Sequence, residues 1–150
     1  MNGIKLIMRA YLCSISESTE QVCRSQLEKL GFEVVLLNEI ESWPVKYKRF
    51  IDLANEDCLR IDADIILFND FIIPEMEDCV MAQFQVIDRK KFAIHSGQPV
   101  YYSKKLLEIA KKIPVKNIRP ETSMWREPEI IKHTRTIEKV VGLHQFEIII

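Results

Sequence analysis

Two aspartates separated by one residue, Asp62 and Asp64, are the side chains of this chain best placed to do chemistry. They lie in a stretch, residues 59–67, in which every second residue is apolar. This period of two predicts one buried strand, with both carboxylates projecting from its opposite face. Carboxylates roughly 6–7 Å apart on one strand face repel each other, and a cation between them removes the repulsion. The pair therefore predicts a site for a divalent metal that prefers oxygen ligands.

The elements before this stretch decide where the two aspartates lie. They are predicted to be a strand over residues 4–12, a helix that begins near Ser14 or Ser18 and ends at Gly31, a strand over 33–38, and a helix from Pro44. Alternating strands and helices form a parallel sheet that binds ligands beyond the carboxyl ends of its strands. Three polar clusters are therefore expected to meet at one edge of the sheet, residues 9–13, 38–41 and 62–64.

The second half of the chain has a different pattern, which predicts an antiparallel addition to the sheet. The predicted elements are strands over residues 79–87, 92–94 and 100–102, a loop over 95–99, a helix over 103–112, and a last strand over 136–141 that Gly142 breaks. Residues 117–128 have no regular pattern. The whole chain is therefore interpreted as a single α/β domain.

The composition narrows the class of protein. Lys and Arg number 21 against 22 acidic residues, and the net charge of -1 does not favour a nucleic-acid partner. Lys5 and Arg9 interrupt the N-terminus too early for a signal-peptide core, and no apolar run reaches the ~18 residues of a membrane span. The four cysteines form no C-x-x-C pair, which favours reduced, buried thiols over zinc. We expect a cytoplasmic protein that can still rest on a membrane, and its oligomeric state stays open.

Several segments occur in an order that resembles the family-2-like bacterial glycosyltransferases with the GT-A fold. They are residues 47–54 (YKRFIDLA), 59–67 (LRIDADIIL), 95–103 (HSGQPVYYS), 119–121 (RPE) and 142–147 (GLHQFE). The resemblance implies a single GT-A-like domain over residues 1–150, with a mostly parallel central sheet and helices on both faces. It places the nucleotide-binding part at about 1–70 and the acceptor-binding, metal-completing part at about 71–150.

The resemblance also implies a mechanism. The donor is a nucleoside-diphosphate sugar, a UDP- or GDP-sugar, and the acceptor is unknown. Mn²⁺ or Mg²⁺ bridges the diphosphate and the Asp-x-Asp carboxylates, one of which can instead contact the ribose. Asp62, Asp64 and His144 match the metal ligands, and Glu121 matches the acceptor-side base. The residues that match donor contacts are Arg9, Asn38, Glu39, Asp62, and Lys46 or Lys48.

Other interpretations of the same residues stay open. Asp62 and Asp64 can cap turns, His144 can be a core or surface histidine, and Glu121 can form an ion pair with Arg119. Phosphohydrolases and Toprim-type metal enzymes also place Asp-x-Asp after an apolar strand, although hydrolases carry their nucleophile on the first strand. Full GT-A enzymes usually have a longer acceptor half, so a non-catalytic or truncated nucleotide-sugar-binding module is a further alternative.

Overall fold

The chain alternates strands and helices through its first half and continues with longer paired strands. The computed structural model describes residues 7–76, 79–113 and 128–144. The strands are β1 (Arg9–Cys13), β2 (Glu33–Leu37), β3 (Cys58–Asp62), β4 (Ile65–Leu67), β5 (Met81–Asp88), β6 (Ala93–Tyr102) and β7 (Thr134–His144). The helices are α1 (Glu20–Lys29), α2 (Trp43–Leu53), α3 (Lys104–Ala110) and α4 (Pro128–Lys132). Within these ranges, no helix is long and apolar enough to cross a membrane.

Local sequence signals account for the ends of the helices. Helix α1 ends before Gly31, whose φ of 96° is a left-handed conformation that glycine adopts without steric cost. Pro44 lies in the first turn of α2, where its missing N–H is not needed. Helix α3 begins after Ser103, whose hydroxyl accepts a hydrogen bond from the Leu106 N–H at 3.1 Å. These three predictions are confirmed to within a few residues.

One mixed sheet contains all seven strands, in the order β2-β1-β3-β6-β5-β7-β4. Strand β1 is parallel to β2 and β3, and β5 is parallel to β7. The β3–β6, β5–β6 and β4–β7 pairs are antiparallel. The expectation of a mostly parallel sheet was therefore wrong, because the strand–helix alternation ends after β3 and a short turn joins β5 to β6. The antiparallel addition in the second half is confirmed.

Helices cover both faces of this sheet, as expected. Successive residues of β1 alternate between two buried clusters. Leu12 packs with Cys23 of α1 in one cluster, and Tyr11 packs with Phe50 of α2 and Leu106 of α3 in the other. Two apolar layers therefore hold the sheet between α1 on one side and α2 and α3 on the other.

The stretch that was expected to form one strand, residues 59–67, is two strands. Strand β3 ends at Asp62, Ala63 and Asp64 form a turn, and β4 begins at Ile65. Strand β3 lies between β1 and β6, whereas β4 lies at the far end of the sheet beside β7. The apolar alternation continues through the turn because it reports burial, and both strands are buried. The alternation carries no information about the neighbouring strands with which β3 and β4 pair.

Two further boundaries differ from the sequence prediction. Residues 95–99, expected as a loop, belong to β6, where Gly97 has a φ of 121° close to a register shift between β5 and β6. Gly142 does not break the last strand, because β7 runs through it to His144. A Cβ atom on Gly142 would lie 2.4 Å from the carbonyl oxygen of Ile66, so glycine lets β7 approach β4 closely.

Candidate functional site

The turn between β3 and β4 is held by hydrogen bonds to Ala63 from both sides. The Ala63 N–H donates to the carbonyl of Cys13 at the end of β1, at 2.9 Å. The Thr19 hydroxyl and the Cys23 thiol each donate to the Ala63 carbonyl at 2.6 Å. Because these contacts fix the central residue, the neighbouring carboxylates of Asp62 and Asp64 are presented from a well-defined backbone.

Strand β7 brings His144 next to Asp64. His144 opposes Ile65 in the β4–β7 pair, and its Nε2 atom lies 3.3 Å from Oδ2 of Asp64. Its Nδ1 atom lies 3.8 Å from Oδ2 of Asp88, at the end of β5. Asp64 Oδ1 and His144 Nδ1 are both buried and have no hydrogen-bond partner among the described residues. Unsatisfied buried polar atoms are costly and rare, and two at one place are typical of a ligand site.

The two carboxylates beside His144 favour its protonated form. The hydrogen bond with Asp64 raises the pKa of His144, burial opposes this rise, and the charge of Asp88 adds to it. Burial acts to raise the pKa of Asp88, but the backbone N–H groups of Lys91 and Lys90 and the charge of His144 outweigh it. The pKa of Asp88 is therefore lowered. His144 thus lies between two carboxylates, and neither Asp88 nor this arrangement was expected from the sequence.

A cleft of about 490 Å³ opens on one side of Asp62. The rings of His95 and His144 stack along it, with centroids 5.6 Å apart and an interplanar angle of 20°. Gln98 also lines it, and its Oε1 accepts a hydrogen bond from the Asp62 N–H at 3.3 Å. The cleft therefore joins the end of β3 to the middle of β6 and the end of β7. Its volume is in the range of small-molecule binding sites.

Arg60 is a buried cation in the wall of this cleft. Its guanidinium lies 4.9 Å from the ring centroid of Trp43 and 5.9 Å from that of Tyr47, and its Nε donates to the Tyr102 hydroxyl at 3.0 Å. Its Nη1 lies 4.0 Å from Oδ1 of Asp62. Burial acts to lower the pKa of Arg60, but Tyr102 and Asp62 outweigh it and raise the pKa. The side chain stays charged, and its field acts on Asp62.

Sequence reasoning missed Arg60, although a signal was present. Arg60 alternates with the apolar Leu59 and Ile61, and an alternating charged residue is usually interpreted as solvent-facing. A central strand between two helical layers has no solvent-facing side, so an arginine on it must be buried. A buried arginine two residues before Asp62 therefore needs acidic or aromatic partners nearby.

A smaller cleft of about 190 Å³ lies on the other side of Asp62 and is lined by both aspartates and by Lys46. Lys46 is only 3% exposed, and its Nζ donates to the carbonyl of Ser14. Lys48, the alternative expected from the sequence, points to solvent and pairs with Asp52 at 2.8 Å. The structure therefore brings Lys46 to the aspartates and leaves Lys48 away from them.

Glu17 also lines the smaller cleft and was not expected there. The Ile15 N–H donates to its Oε1 at 3.1 Å. Burial raises the pKa of Glu17 despite this bond, and the charges of Asp64 and Asp62 add to the rise. The pattern from Ser14 to Glu17 was interpreted as a helix cap, but α1 begins only at Glu20. The glutamate is therefore available to the cleft.

The expected metal ligands do not form a ready-made coordination shell. Within the described ranges, no three His, Cys, Asp or Glu side chains are arranged so that they could hold a metal ion. Asp64 and His144 contact each other, and Asp62 lies at the junction of the two clefts. The donor set is nevertheless two carboxylates and one imidazole, a combination that Mn²⁺ accepts.

Arg9 does not lie with the other candidate residues. Strand β1 begins at Arg9 and runs to Cys13, which pairs with Asp62. Arg9 is thus at the opposite edge of the sheet, where it lies 3.6 Å from Glu33. The expectation that Arg9 lies at the carboxyl edge was wrong, because the strand was predicted to start at residue 4 rather than at residue 9.

The remaining expected site residues are the donor contacts Asn38 and Glu39 and the acceptor-side base Glu121. Asn38 and Glu39 follow β2 at the expected edge of the sheet and are exposed. The Glu39 carboxylate lies 2.9 Å from Arg49, so an ion pair already engages it. Glu121, the expected base, lies outside the described residues.

Comparisons with known proteins support the fold. No protein-family model matches the chain, and no curated protein matches it in sequence. The solved structure of A197 from STIV matches 97% of this chain and 98% of its own, at 11% identity and a TM-score of 0.62. The solved structure of the glycosyltransferase GlyE from Streptococcus pneumoniae TIGR4 matches 89% of this chain at 13% identity, with a TM-score of only 0.44. This chain spans 46% of that enzyme's chain. The first match shows a shared mixed α/β fold over nearly the whole of both chains.

Proposed function

We propose that this chain is a metal-dependent glycosyltransferase with a GT-A-like fold, which moves a sugar from a nucleoside-diphosphate sugar to an acceptor. The observation that carries the proposal is the position of Asp62, which lines both clefts at the carboxyl end of β3. A buried cation flanks it in each cleft, Lys46 in the smaller and Arg60 in the larger. In a nucleoside-diphosphate sugar, the negative charge lies on the diphosphate, next to the bond that breaks when the sugar is transferred.

Asp62, Asp64 and His144 would hold Mn²⁺ or Mg²⁺ in this proposal. The buried Asp64 Oδ1, which lacks a hydrogen-bond partner among the described residues, supports a cation there. When bound, the metal supplies Lewis-acid stabilisation of the negative charge on the departing diphosphate. His144 favours Mn²⁺, because imidazole is a better ligand for Mn²⁺ than for Mg²⁺.

The protein's own cations have roles that do not depend on the metal. Lys46, which lines the smaller cleft, would contact phosphate oxygens there, and its burial would strengthen that attraction. Asn38 and Glu39 are proposed to contact the nucleobase of the donor, since they follow β2 at the same edge of the sheet. The larger cleft, with His95 and Gln98, would receive the sugar and the acceptor. Glu121 remains the predicted catalytic base on the acceptor side.

Titration calorimetry with UDP and with GDP, with and without Mn²⁺, tests the proposal. We expect one nucleotide to bind in a metal-dependent way, and Asp62→Asn or Asp64→Asn to weaken that binding by at least roughly tenfold. The matched control is Asp52→Asn, an exposed aspartate that pairs with Lys48 on α2. Unchanged affinity in both aspartate variants, or binding that is indifferent to metal, would refute the metal site.

Turnover separates the transferase from the two alternatives. A panel of UDP- and GDP-sugars is incubated with Mn²⁺ and mixed sugar acceptors, and release of the free nucleoside diphosphate is followed. A transferase releases it and Asp62→Asn does not. Metal-dependent binding without release supports a non-catalytic module, and cleavage of p-nitrophenyl phosphate supports a phosphohydrolase.

We also propose that the chain works in the cytoplasm. All four cysteines are free and buried, as expected for a protein from a reducing compartment. Burial raises the pKa of the Cys13, Cys23 and Cys58 thiols to about 12, which keeps them protonated and inert.

A further inference from the structure

The turn between β5 and β6 is shaped by hydrogen bonds to a side chain at the end of β5. Asp88 and Ala93 are the last paired residues of the hairpin, so Arg89 to Phe92 form its end. Oδ1 of Asp88 accepts hydrogen bonds from the N–H groups of Lys90 at 2.9 Å and Lys91 at 3.2 Å. The turn is therefore held in one shape by a buried side chain at its base.

This hairpin end, residues 89–94 (the basic tip), combines exposed apolar and basic side chains. Phe92 is 89% exposed and Ile94 is 63% exposed. Arg89, Lys90 and Lys91 are exposed beside them. An exposed phenylalanine next to an exposed isoleucine is costly in water, and three consecutive cations give the tip a local positive charge in a chain whose net charge is -1.

The backbone at Phe92 indicates that this exposure is built into the turn. Its φ is 51°, a left-handed conformation that is a genuine outlier for a bulky side chain. Asparagine or glycine would adopt this conformation at lower cost. A strained position that carries an exposed aromatic ring points to a function for the ring.

We propose that the basic tip binds the surface of an anionic lipid bilayer, with Phe92 and Ile94 inserted at the headgroup level. A folded protein partner normally needs about 800 Å² of surface on each side, which a projecting turn with two apolar side chains does not provide. A bilayer accepts a small projection, because the apolar groups enter the acyl boundary while lysine and arginine contact anionic headgroups. The charge of the tip is complementary to such a surface.

The tip also lies close to the larger cleft. Ile94 is followed in β6 by His95 and Ser96, which both line that cleft. Two residues of extended strand span only about 7 Å. A bilayer bound at the tip would therefore lie beside the mouth of the cleft, where a substrate carried on a lipid would reach it. Binding of the tip to lipid does not depend on the proposed transferase activity.

Vesicle flotation of the full chain tests this inference. Vesicles of phosphatidylcholine alone are compared with vesicles that contain 30% phosphatidylserine (a composition of about this order carries the surface potential of a cytoplasmic leaflet). We expect binding to the anionic vesicles that falls as salt is raised, and little binding to the neutral ones. The variant Phe92→Gly removes the ring and relieves the left-handed strain, so it should fold and still lose about tenfold or more in binding.

Charge variants supply the second arm of the experiment. Arg89→Gln with Lys91→Gln should weaken binding by roughly tenfold or more and flatten its salt dependence. The controls are Lys105→Gln with Lys112→Gln, two exposed lysines in α3 and in the turn after it, and Ile72→Ser, which removes another exposed apolar side chain (74% exposed). Equal binding to neutral and anionic vesicles, no binding to either, or an equal loss in the control variants would overturn the proposal.

Discussion

Replacing Gly142 with alanine tests whether the close approach of β7 to β4 builds the candidate site. A Cβ atom at residue 142 would lie 2.4 Å from the carbonyl oxygen of Ile66 and 3.1 Å from its carbonyl carbon and from Cα of Leu67. Ordinary contact begins at 3.4 Å, so the closest distance is short by about 1 Å. All three obstructing atoms are backbone, and no side-chain rotation relieves the clash. One strand must move away from the other, and His144 lies two residues further along the strand that moves.

Three contributions set the free-energy cost of this substitution. Overpacking against rigid structure costs about 1–3 kcal/mol, and loosening one or two hydrogen bonds between the strands adds about 0.5–1.5 kcal/mol each. Alanine offsets about 0.4–1 kcal/mol of this by restricting the unfolded chain. We expect Gly142→Ala to lower the free energy of unfolding by about 2–3 kcal/mol. For a chain of this size, that lowers Tm by about 4–12 °C.

Urea unfolding followed by circular dichroism measures the loss of stability, and the side-chain NMR signals of His144 report its surroundings. The matched control is Gly31→Ala, since Gly31 has no atom within 4 Å of an added Cβ and its cost comes from its φ of 96° alone. That control should cost about 1 kcal/mol and leave the His144 signals unchanged. If Gly142→Ala is within 0.5 kcal/mol of the unmodified chain, or leaves His144 undisturbed, the steric argument is wrong (scatter of this size is usual for surface substitutions).

Four other substitutions, at three positions, follow from the contacts or the burial of one side chain each, and urea unfolding checks each. Cys23→Ala leaves Thr19 as a donor to the Ala63 carbonyl but removes the thiol that donates to the Ala63 and Ile65 carbonyls and fills a buried position, so it should cost about 1–3 kcal/mol, whereas Cys23→Ser keeps a donor and should cost less. The pKa of Glu17 is raised on folding, so its ionisation destabilises the fold above that raised pKa and has no effect below its unfolded value. Glu17→Gln should therefore stabilise the chain at pH 7, and this gain should disappear as the pH falls to about 4. Ser103→Ala removes the cap on the Leu106 N–H and should cost about 1 kcal/mol.

Local signals in the sequence determined the first half of the fold. Gly31 and Pro44 mark helix ends through conformations and missing donors that depend only on those residues. The period of the apolar residues separates helices from strands, because it depends on the geometry of one element alone. The expectation that residues 62–64 lie at the carboxyl edge of the sheet followed from these signals.

The rest of the site depends on which strands pair, and a single sequence does not carry that information. Apolar alternation over residues 59–67 reports burial equally well for one strand or for two, so the turn at Ala63 was not visible. His144 reaches Asp64 only because β7 pairs with β4 and passes Ile66 at a glycine. A local pattern assigns Arg60 and Lys46 to solvent. The central position of β3 requires a buried Arg60, but only the packing of α2 brings Trp43 and Tyr47 to it and Lys46 to the cleft beside Asp62. The sheet edge that carries Asp62 was therefore predictable from short-range geometry, while the turn that follows Asp62 and the charges that surround it were decided by contacts between distant parts of the chain.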